Sequence, residues 1–227
     1  MKHRLMIWKC NFFVFFTLAL SLTMSGQAPP EYPYQVNYAS NLNLGDGVVN
    51  VINNGSSAGS NIPIVGGNTY GDICVNVYVY SPDQEQATCC TCLVSPNTLH
   101  SWPVSFGPGN LLQNVTNPSA LFSIRASNSL VIKLLATAAT GAGAALADFC
   151  PRPDTPNGVA SGMAAWATHS HPTNTATVAI TETLFAPASV TSGEIAKLTQ
   201  DCGYNLTHGN QVQCPACRIG GLATPTF

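Results

Sequence analysis

The chain has 227 residues, enough for one medium domain with a targeting segment or for two small domains. Hydrophobic residues make up 45% of it, which is ordinary for a globular protein, but charged residues make up only 8%, against roughly 25% in a typical soluble domain. This shortage of charge excludes charge-rich coiled coils, charge-rich disordered tails and electrostatic nucleic-acid binders.

Residues 1–28 have the three parts of a secretory signal peptide. Lys2, Arg4 and Lys9 provide a basic start, residues 12–22 are almost entirely apolar, and small residues follow. The apolar stretch is shorter than the roughly 20 residues that a membrane-spanning helix needs, so we favour a cleaved signal over an anchor. We therefore expect the mature chain to be secreted or held at the cell surface, without an integral membrane segment.

The mature chain is acidic and carries no familiar cofactor motif. It keeps five basic and ten acidic residues, a net charge of −5, which attracts neither nucleic acid nor anionic lipid. A P-loop, a dinucleotide fingerprint, an EF-hand loop and a His-Glu-x-x-His zinc motif are all absent from the sequence. We expect no cofactor and no nucleic-acid partner, and self-association is left open.

Alternating residue types predict short strands after an extended arm. The arm, residues 29–41, is rich in Pro and Tyr, and the clearest strand pattern lies at residues 73–80. The predicted strands are residues 48–53, 73–80, 87–94, 121–124, 130–135, 160–169 and 175–184. Pro, Gly and Asn turns separate them, which favours a single mostly β domain, sandwich-like or barrel-like, over residues 42–227.

One short helix is predicted near the C-terminus, over residues 192–201. Thr191 and Glu194 have the spacing of a capping box, and Val190 and Ile195 have that of a hydrophobic staple. We expect Gly203 to end the helix, because glycine is the usual residue just after a helix C-terminus.

Cysteine gives the strongest signal in the sequence. Beyond the signal peptide there are eight: Cys74, Cys89, Cys90, Cys92, Cys150, Cys202, Cys214 and Cys217. An even number in an exported chain predicts disulfides, although eight cysteines allow 105 pairings and the sequence does not choose among them. Two clusters, residues 89–92 and 214–217, could instead together supply four thiolates to zinc, and the second cluster also has the form of a redox dithiol. An oxidising compartment favours disulfides.

The best candidate for a metal site is the pair His169 and His171. On a strand, side chains two residues apart point to the same side. A site would need a third ligand, for which Asp154 and Glu182 are candidates. A polar strand end before Pro172 is the interpretation that we prefer.

Aromatic and glycosylation features are less specific. Five tyrosines could line a glycan-binding surface, although ordinary packing on the sheet faces is the simpler interpretation: Tyr32, Tyr34, Tyr38, Tyr78 and Tyr80. Three tripeptides that fit the glycosylation acceptor pattern begin at Asn54, Asn114 and Asn205.

Six short segments of the chain carry a resemblance: residues 73–78, 89–92, 95–97, 131–135, 194–198 and 214–218. Together they resemble a group of uncharacterised exported cysteine-containing bacterial proteins. The cysteine pattern is the specific part of the resemblance. It implies export and a bacterial origin, and because the group has no assigned activity it implies no catalytic residue.

The sequence is most typical of an exported structural or binding protein of the cell surface or the medium, with no evident catalysis. One alternative is a secreted hydrolase or metal-dependent enzyme. Another is a fibre subunit in which residues 42–52 leave their own sheet and add to the edge of a neighbour. Pairing of this segment within its own domain is favoured, because consecutive strands usually pair locally.

Overall fold

The computed structural model describes residues 32–57, 71–139, 149–175, 177–215 and 217. The predicted signal peptide lies outside these residues. Among the described residues, no helix is long and apolar enough to cross a membrane.

The described residues form two antiparallel sheets and two helices, which confirms the mostly β, sandwich-like fold. The strands are β1 (Tyr34–Ala39), β2 (Val48–Asn53), β3 (Ile73–Tyr80), β4 (Gln86–Val94), β5 (Leu99–Pro103), β6 (Leu130–Ala138), β7 (Met163–Pro172), β8 (Val178–Leu184) and β9 (Ala186–Pro187). The helices are α1 (Pro118–Ser127) and α2 (Ser192–Thr207). One sheet has the order β4-β3-β6-β1-β9 and the other the order β5-β2-β7-β8.

Strand β3 shows how the alternation in the sequence builds the core. Ile73, Val75, Val77 and Val79 belong to the main apolar cluster, which also contains Val49 and Val51 of the other sheet together with other buried side chains. The intervening Tyr78 and Tyr80 lie in a second cluster with α2. Because both faces are covered, every residue of β3 is buried.

Strand β1 corrects the predicted arm. Tyr34–Ala39 is not an arm outside the domain, because it pairs with β6 along its whole length and with β9 at its start. Its polar residues Gln35 and Asn37 are both buried. Gln35 Nε2 donates to the Met163 carbonyl oxygen at 2.8 Å, and Asn37 Nδ2 donates to Thr183 Oγ1 at 3.1 Å. The domain therefore includes Tyr34–Ala39 and does not begin at residue 42.

Helix α1 replaces the strand predicted at residues 121–124. The Asn117 side chain accepts hydrogen bonds from the backbone N–H groups of Ser119 and Ala120, and Pro118 follows in the first turn, where its missing N–H costs nothing. Asn128 ends the helix in the left-handed conformation, with φ of 52°. The prediction was wrong because the apolar run hid these caps.

Helix α2 begins as predicted and is longer than predicted. Thr191 Oγ1 accepts the backbone N–H of Glu194 at 3.1 Å, which confirms the N-cap. Gly203 was expected to stop the helix, but the helix continues to Thr207. Gly203 does not adopt the positive φ of a glycine that ends a helix, and a Cβ at this position would lie at an ordinary van der Waals distance, 3.6 Å, from Asp154 Oδ2.

The remaining strand predictions are confirmed, two of them with the same bounds. Residues 48–53 and 73–80 match β2 and β3, whereas β4, β6, β7 and β8 differ from their predictions by a few residues. The sequence reading missed the short strands β5 and β9, which contain proline. Strand β2 is paired on both sides, with β5 and β7, so it lies inside its own sheet.

Four disulfides join all eight cysteines that follow the predicted signal peptide, which confirms the disulfide prediction and contradicts the zinc and redox alternatives. The pairs are Cys74–Cys150, Cys89–Cys202, Cys90–Cys214 and Cys92–Cys217. Three of them start from β4. They join this strand to α2 and to the chain segment that follows α2.

Replacing Thr191 with Ala tests the start of α2. We expect the free energy of unfolding to fall by about 1 kcal/mol, because the substitution removes the oxygen that satisfies the Glu194 N–H. Urea unfolding followed by circular dichroism measures the change. Thr199→Ala is the control, since the Thr199 hydroxyl donates to the Ile195 and Ala196 carbonyl oxygens inside the helix and caps no backbone N–H group. Equal effects of the two substitutions would show that the cap contributes nothing.

Candidate functional site

A polar cleft lies between α2 and the turn that joins β3 to β4. Its volume is about 330 Å³, within the range of small-molecule sites. Residues 84–86 form one wall, the face of α2 from Lys197 to Asn205 forms the opposite wall, and Asn117, the N-cap of α1, completes the lining. Three separate parts of the chain therefore meet at this cleft.

The floor of the cleft is fixed by two buried carboxamides. Gln86, at the start of β4, and Asn205, in the last turn of α2, are almost fully buried. Asn205 Nδ2 donates to the backbone carbonyl oxygen and to the side-chain oxygen of Gln86, both at 3.1 Å. The Gln86 amide donates in turn to the Leu198 carbonyl oxygen. The floor thus has a set geometry before any ligand arrives.

Tyr80 links the floor to the charged part of the cleft. Its hydroxyl accepts from Gln86 Nε2 at 2.9 Å and donates to Asp201 Oδ2 at 3.2 Å. Burial, followed by the nearby Asp201 carboxylate, raises the pKa of the Tyr80 hydroxyl well above its usual range, so this group stays a hydrogen-bond donor at any ordinary pH.

The rim combines one ion pair with an exposed aromatic ring. Lys197 Nζ lies 2.9 Å from Asp201 Oδ2, one helical turn away. Tyr204 is 60% exposed, and its ring stacks on His208 with centroids 4.1 Å apart. On the opposite wall, Gln84 has φ of 69° in the tight turn before β4. The rim therefore offers carboxamides, one largely neutralised ion pair and one open ring face.

Covalent and polar contacts hold α2 against the sheet. The Cys89–Cys202 disulfide joins the middle of the helix to β4. Near the start of the helix, Glu194 Oε1 accepts from Lys133 Nζ and from the Tyr34 hydroxyl, both at 2.7 Å. The hydrogen bond from Lys133 and that from Tyr34 lower the pKa of Glu194. The α2 wall of the cleft is therefore anchored at two points.

The predicted histidine pair points to one side of β7, but each ring has a threonine partner. His169 Nε2 lies 2.6 Å from Thr183 Oγ1, and His171 Nε2 lies 2.7 Å from Thr181 Oγ1. Burial, and then the neighbouring His171, lower the pKa of His169, which favours the neutral ring at neutral pH. His169 Nδ1 is buried without a hydrogen-bond partner.

Neither proposed third ligand joins these histidines. Glu182 pairs with Thr168 and therefore lies on the other face of β8, while Asp154 is bonded to Arg152 at 3.0 Å. Within the described residues, the one group of three ligand-type side chains close enough for an ion is Cys92, His100 and Cys217. Its two cysteines are joined to each other. The histidine pair stays a prediction.

The five tyrosines of the predicted glycan surface do not form one surface. Tyr34, Tyr78 and Tyr80 are buried, as the packing interpretation expects, while Tyr32 and Tyr38 are exposed. The glycosylation tripeptide at Asn205 is not usable in the folded protein, because this carboxamide is buried in the floor of the cleft.

Sequence reasoning missed the cleft because its parts are far apart in the chain. Gln86 and Asn205 are separated by 119 residues, and no local motif predicts that they meet. The predicted helix, Cys202 and the acceptor tripeptide at Asn205 pointed to the α2 side of this region, but none of them predicted a cleft.

Comparison with known proteins identifies no relative. No family model, no curated protein and no solved structure matches the chain.

Replacing Glu194 with Gln tests the contact that anchors α2. A carboxyl group whose pKa is lowered by folding stabilises the protein above its unfolded pKa, about 4.5 for glutamate, and loses this effect as the pH falls through the folded pKa. We therefore expect Glu194→Gln to be less stable than the parent protein at pH 7, with the difference shrinking below pH 4.5.

Urea unfolding at a series of pH values measures this difference. Glu182→Gln is the control, because Glu182 is an exposed glutamate of β8. A difference between the parent protein and Glu194→Gln that stays constant from pH 7 to pH 3 would show that the charge of Glu194 does not anchor the helix.

Proposed function

We propose that the protein is an exported binding protein of the cell surface or the medium, and that its cleft binds a neutral ligand rich in hydroxyl groups, an oligosaccharide in the first instance. The observation that carries the proposal is the lining of the cleft, where carboxamides and one exposed tyrosine ring surround a preformed floor.

Carboxamides suit hydroxyl groups because the two kinds of group complement each other. Each carboxamide offers two donors and an acceptor, and each sugar hydroxyl can donate and accept. Gln84, Gln200 and Asn117 line the cleft beside the fixed pair Gln86 and Asn205. Since the floor is already ordered, binding does not have to order it, and that lowers the entropic cost of binding.

The charges of the cleft favour a neutral ligand. Lys197 is the one basic side chain of its lining and is paired with Asp201, while Glu85 adds a further negative charge at the rim. A phosphate or carboxylate ligand would face this excess of negative charge without a free cation to bind it. A neutral polyol meets no such penalty.

The exposed ring of Tyr204 supports the same ligand class. An aromatic ring presents an apolar face that the C–H face of a sugar ring can cover, and tyrosine adds a hydroxyl group at its edge. His208 stacks on the ring with centroids 4.1 Å apart. A ring that already has a stacking partner loses less freedom when a ligand packs on it than an isolated ring does.

Export and origin are parts of this proposal. Four disulfides are compatible with an extracellular protein and are rare in reducing compartments. The form of residues 1–28 supports a cleaved signal peptide, and the resemblance to exported bacterial proteins supports a bacterial source.

An array of neutral and acidic oligosaccharides tests the ligand class, followed by isothermal titration calorimetry with the glycan that binds best. We expect neutral glycans to bind and Tyr204→Ala to weaken binding at least about tenfold, which corresponds to about 1.4 kcal/mol. Tyr32→Ala is the matched control, because it removes an exposed tyrosine outside the lining of the cleft and should leave the affinity unchanged.

The outcomes separate the proposal from its rivals. Absence of binding, preference for acidic glycans, or equal losses in Tyr204→Ala and Tyr32→Ala would contradict it. Mass spectrometry of the glycan after incubation tests for the hydrolase alternative, in which shorter products would accumulate.

A further inference from the structure

We propose that two copies of the chain pair through the free edge of β8, antiparallel to each other, with a two-fold axis at Ile180. This inference does not depend on the ligand proposed for the cleft. It rests on a comparison of the strands at the sheet edges and on the direction of the backbone groups of β8.

The edge of β4 is covered. The chain after α2 runs beside this strand, where the Thr91 N–H donates to the Val212 carbonyl oxygen and the Cys214 N–H donates to the Thr91 carbonyl oxygen. The carboxamides of Asn205 and Asn210 bind further β4 carbonyl oxygens. A second copy has no access to this row of backbone groups.

The edges of β9 and β5 are short. Strand β9 has two residues and ends in Pro187. Strand β5 has five residues and ends in Pro103, whose carbonyl oxygen already accepts the Leu111 N–H. Short edges and prolines are common protections against pairing with another chain.

Strand β8 has none of these protections. It is seven residues long, contains neither proline nor a basic residue, and has Glu182 as its one charged side chain. It ends the order of its sheet, so no described strand pairs with its outer side. Ile180 is 70% exposed and Val178 is 44% exposed. A seven-residue, partly apolar edge of this kind is a ready template for another strand.

The register of β8 on β7 shows which backbone groups point outwards. The Phe185 N–H donates to the Ala165 carbonyl oxygen, and the residues of β8 alternate from there between bonded and non-bonded positions. The N–H and C=O groups of Thr181 and Ala179 therefore face β7. Those of Val178, Ile180 and Glu182 face away from it and form the free ladder.

A second copy fits this ladder because an antiparallel pair of identical edges is self-complementary. With the axis at Ile180, the side chain of Ile180 meets its own copy and Val178 lies opposite Glu182 of the second copy. An axis at Glu182 would place two carboxylates directly opposite each other, which is destabilising. An axis nearer Leu184 would need the Leu184 carbonyl oxygen for the ladder, and this oxygen already accepts a hydrogen bond from Asn37 Nδ2 at 3.4 Å.

The same comparison of edges argues against a fibre. Head-to-tail assembly needs two different surfaces, and an isologous contact closes after two copies. Since the other described edges are covered or short, the edge of β8 can pair only with β8 of a second copy. The contact is a closed dimer, and because a single ladder is small it forms only at high protein concentration.

Analytical ultracentrifugation over a wide concentration range tests the dimer. We expect monomer at low concentration, dimer at high concentration and no larger species. Ile180→Lys should raise the dissociation constant at least about tenfold, because it places two positive charges opposite each other on the axis. Leu99→Lys is the matched control: it puts the same charge on an exposed apolar residue of β5, 52% exposed, at the other edge of the sheet.

Amide hydrogen exchange gives a test that needs no substitution. At high concentration the exchange of Val178, Ile180 and Glu182 should slow, while that of Ala179 and Thr181, bonded to β7, should not change. A monomer at every concentration, larger oligomers, equal effects of Ile180→Lys and Leu99→Lys, or unchanged exchange at Ile180 would each overturn the proposal.

Discussion

Three of the four disulfides start from strand β4, and they join it to α2 and to the segment after α2. The strand carries Cys89, Cys90 and Cys92, and the disulfides of these residues close chain segments of 113, 124 and 125 residues. In the chain-entropy model, a bridge that closes a loop of this length removes about 4 to 5 kcal/mol of conformational entropy from the unfolded chain. Because the loops overlap, the three effects are not additive. The two bridges to Cys214 and Cys217 also hold the segment after α2 against the edge of β4, which this segment covers.

Disulfides fit a chain with so little charge. The described residues contain three ion pairs. Two of them, Arg152–Asp154 and Lys197–Asp201, have half-exposed basic side chains, and such pairs contribute little to stability, so the more buried Lys133–Glu194 pair is the one that helps to anchor α2. The protein depends instead on a core in which both faces of β3 are buried and on bridges from β4 to the helix. The cleft benefits from this arrangement, since Gln86 on β4 and Asn205 on α2 keep their positions without a ligand.

Local patterns predicted the elements that have local causes. The alternation at β3 and the N-cap at Thr191 were readable, because each depends on residues next to one another. Strand β1 was not readable, since Gln35 and Asn37 are satisfied by partners on the other sheet, more than 100 residues away. Helix α1 was hidden because an apolar run fits a strand as well as a helix, and only Asn117 and Asn128 decide between them. The cleft could not be predicted for the same reason as β1: its floor joins Gln86 and Asn205, which are distant in the chain.

The pairing of the cysteines determines how β4 is joined to α2 and to the segment after it, and peptide mapping without reduction measures this pairing. Partial reduction with alkylation is needed to separate the adjacent Cys89 and Cys90. We expect an intact mass about eight daltons below that of the fully reduced chain, with linked peptides for Cys74–Cys150, Cys89–Cys202, Cys90–Cys214 and Cys92–Cys217. Bound zinc with free thiols in the natively purified protein, or a bridge between Cys214 and Cys217, would contradict it.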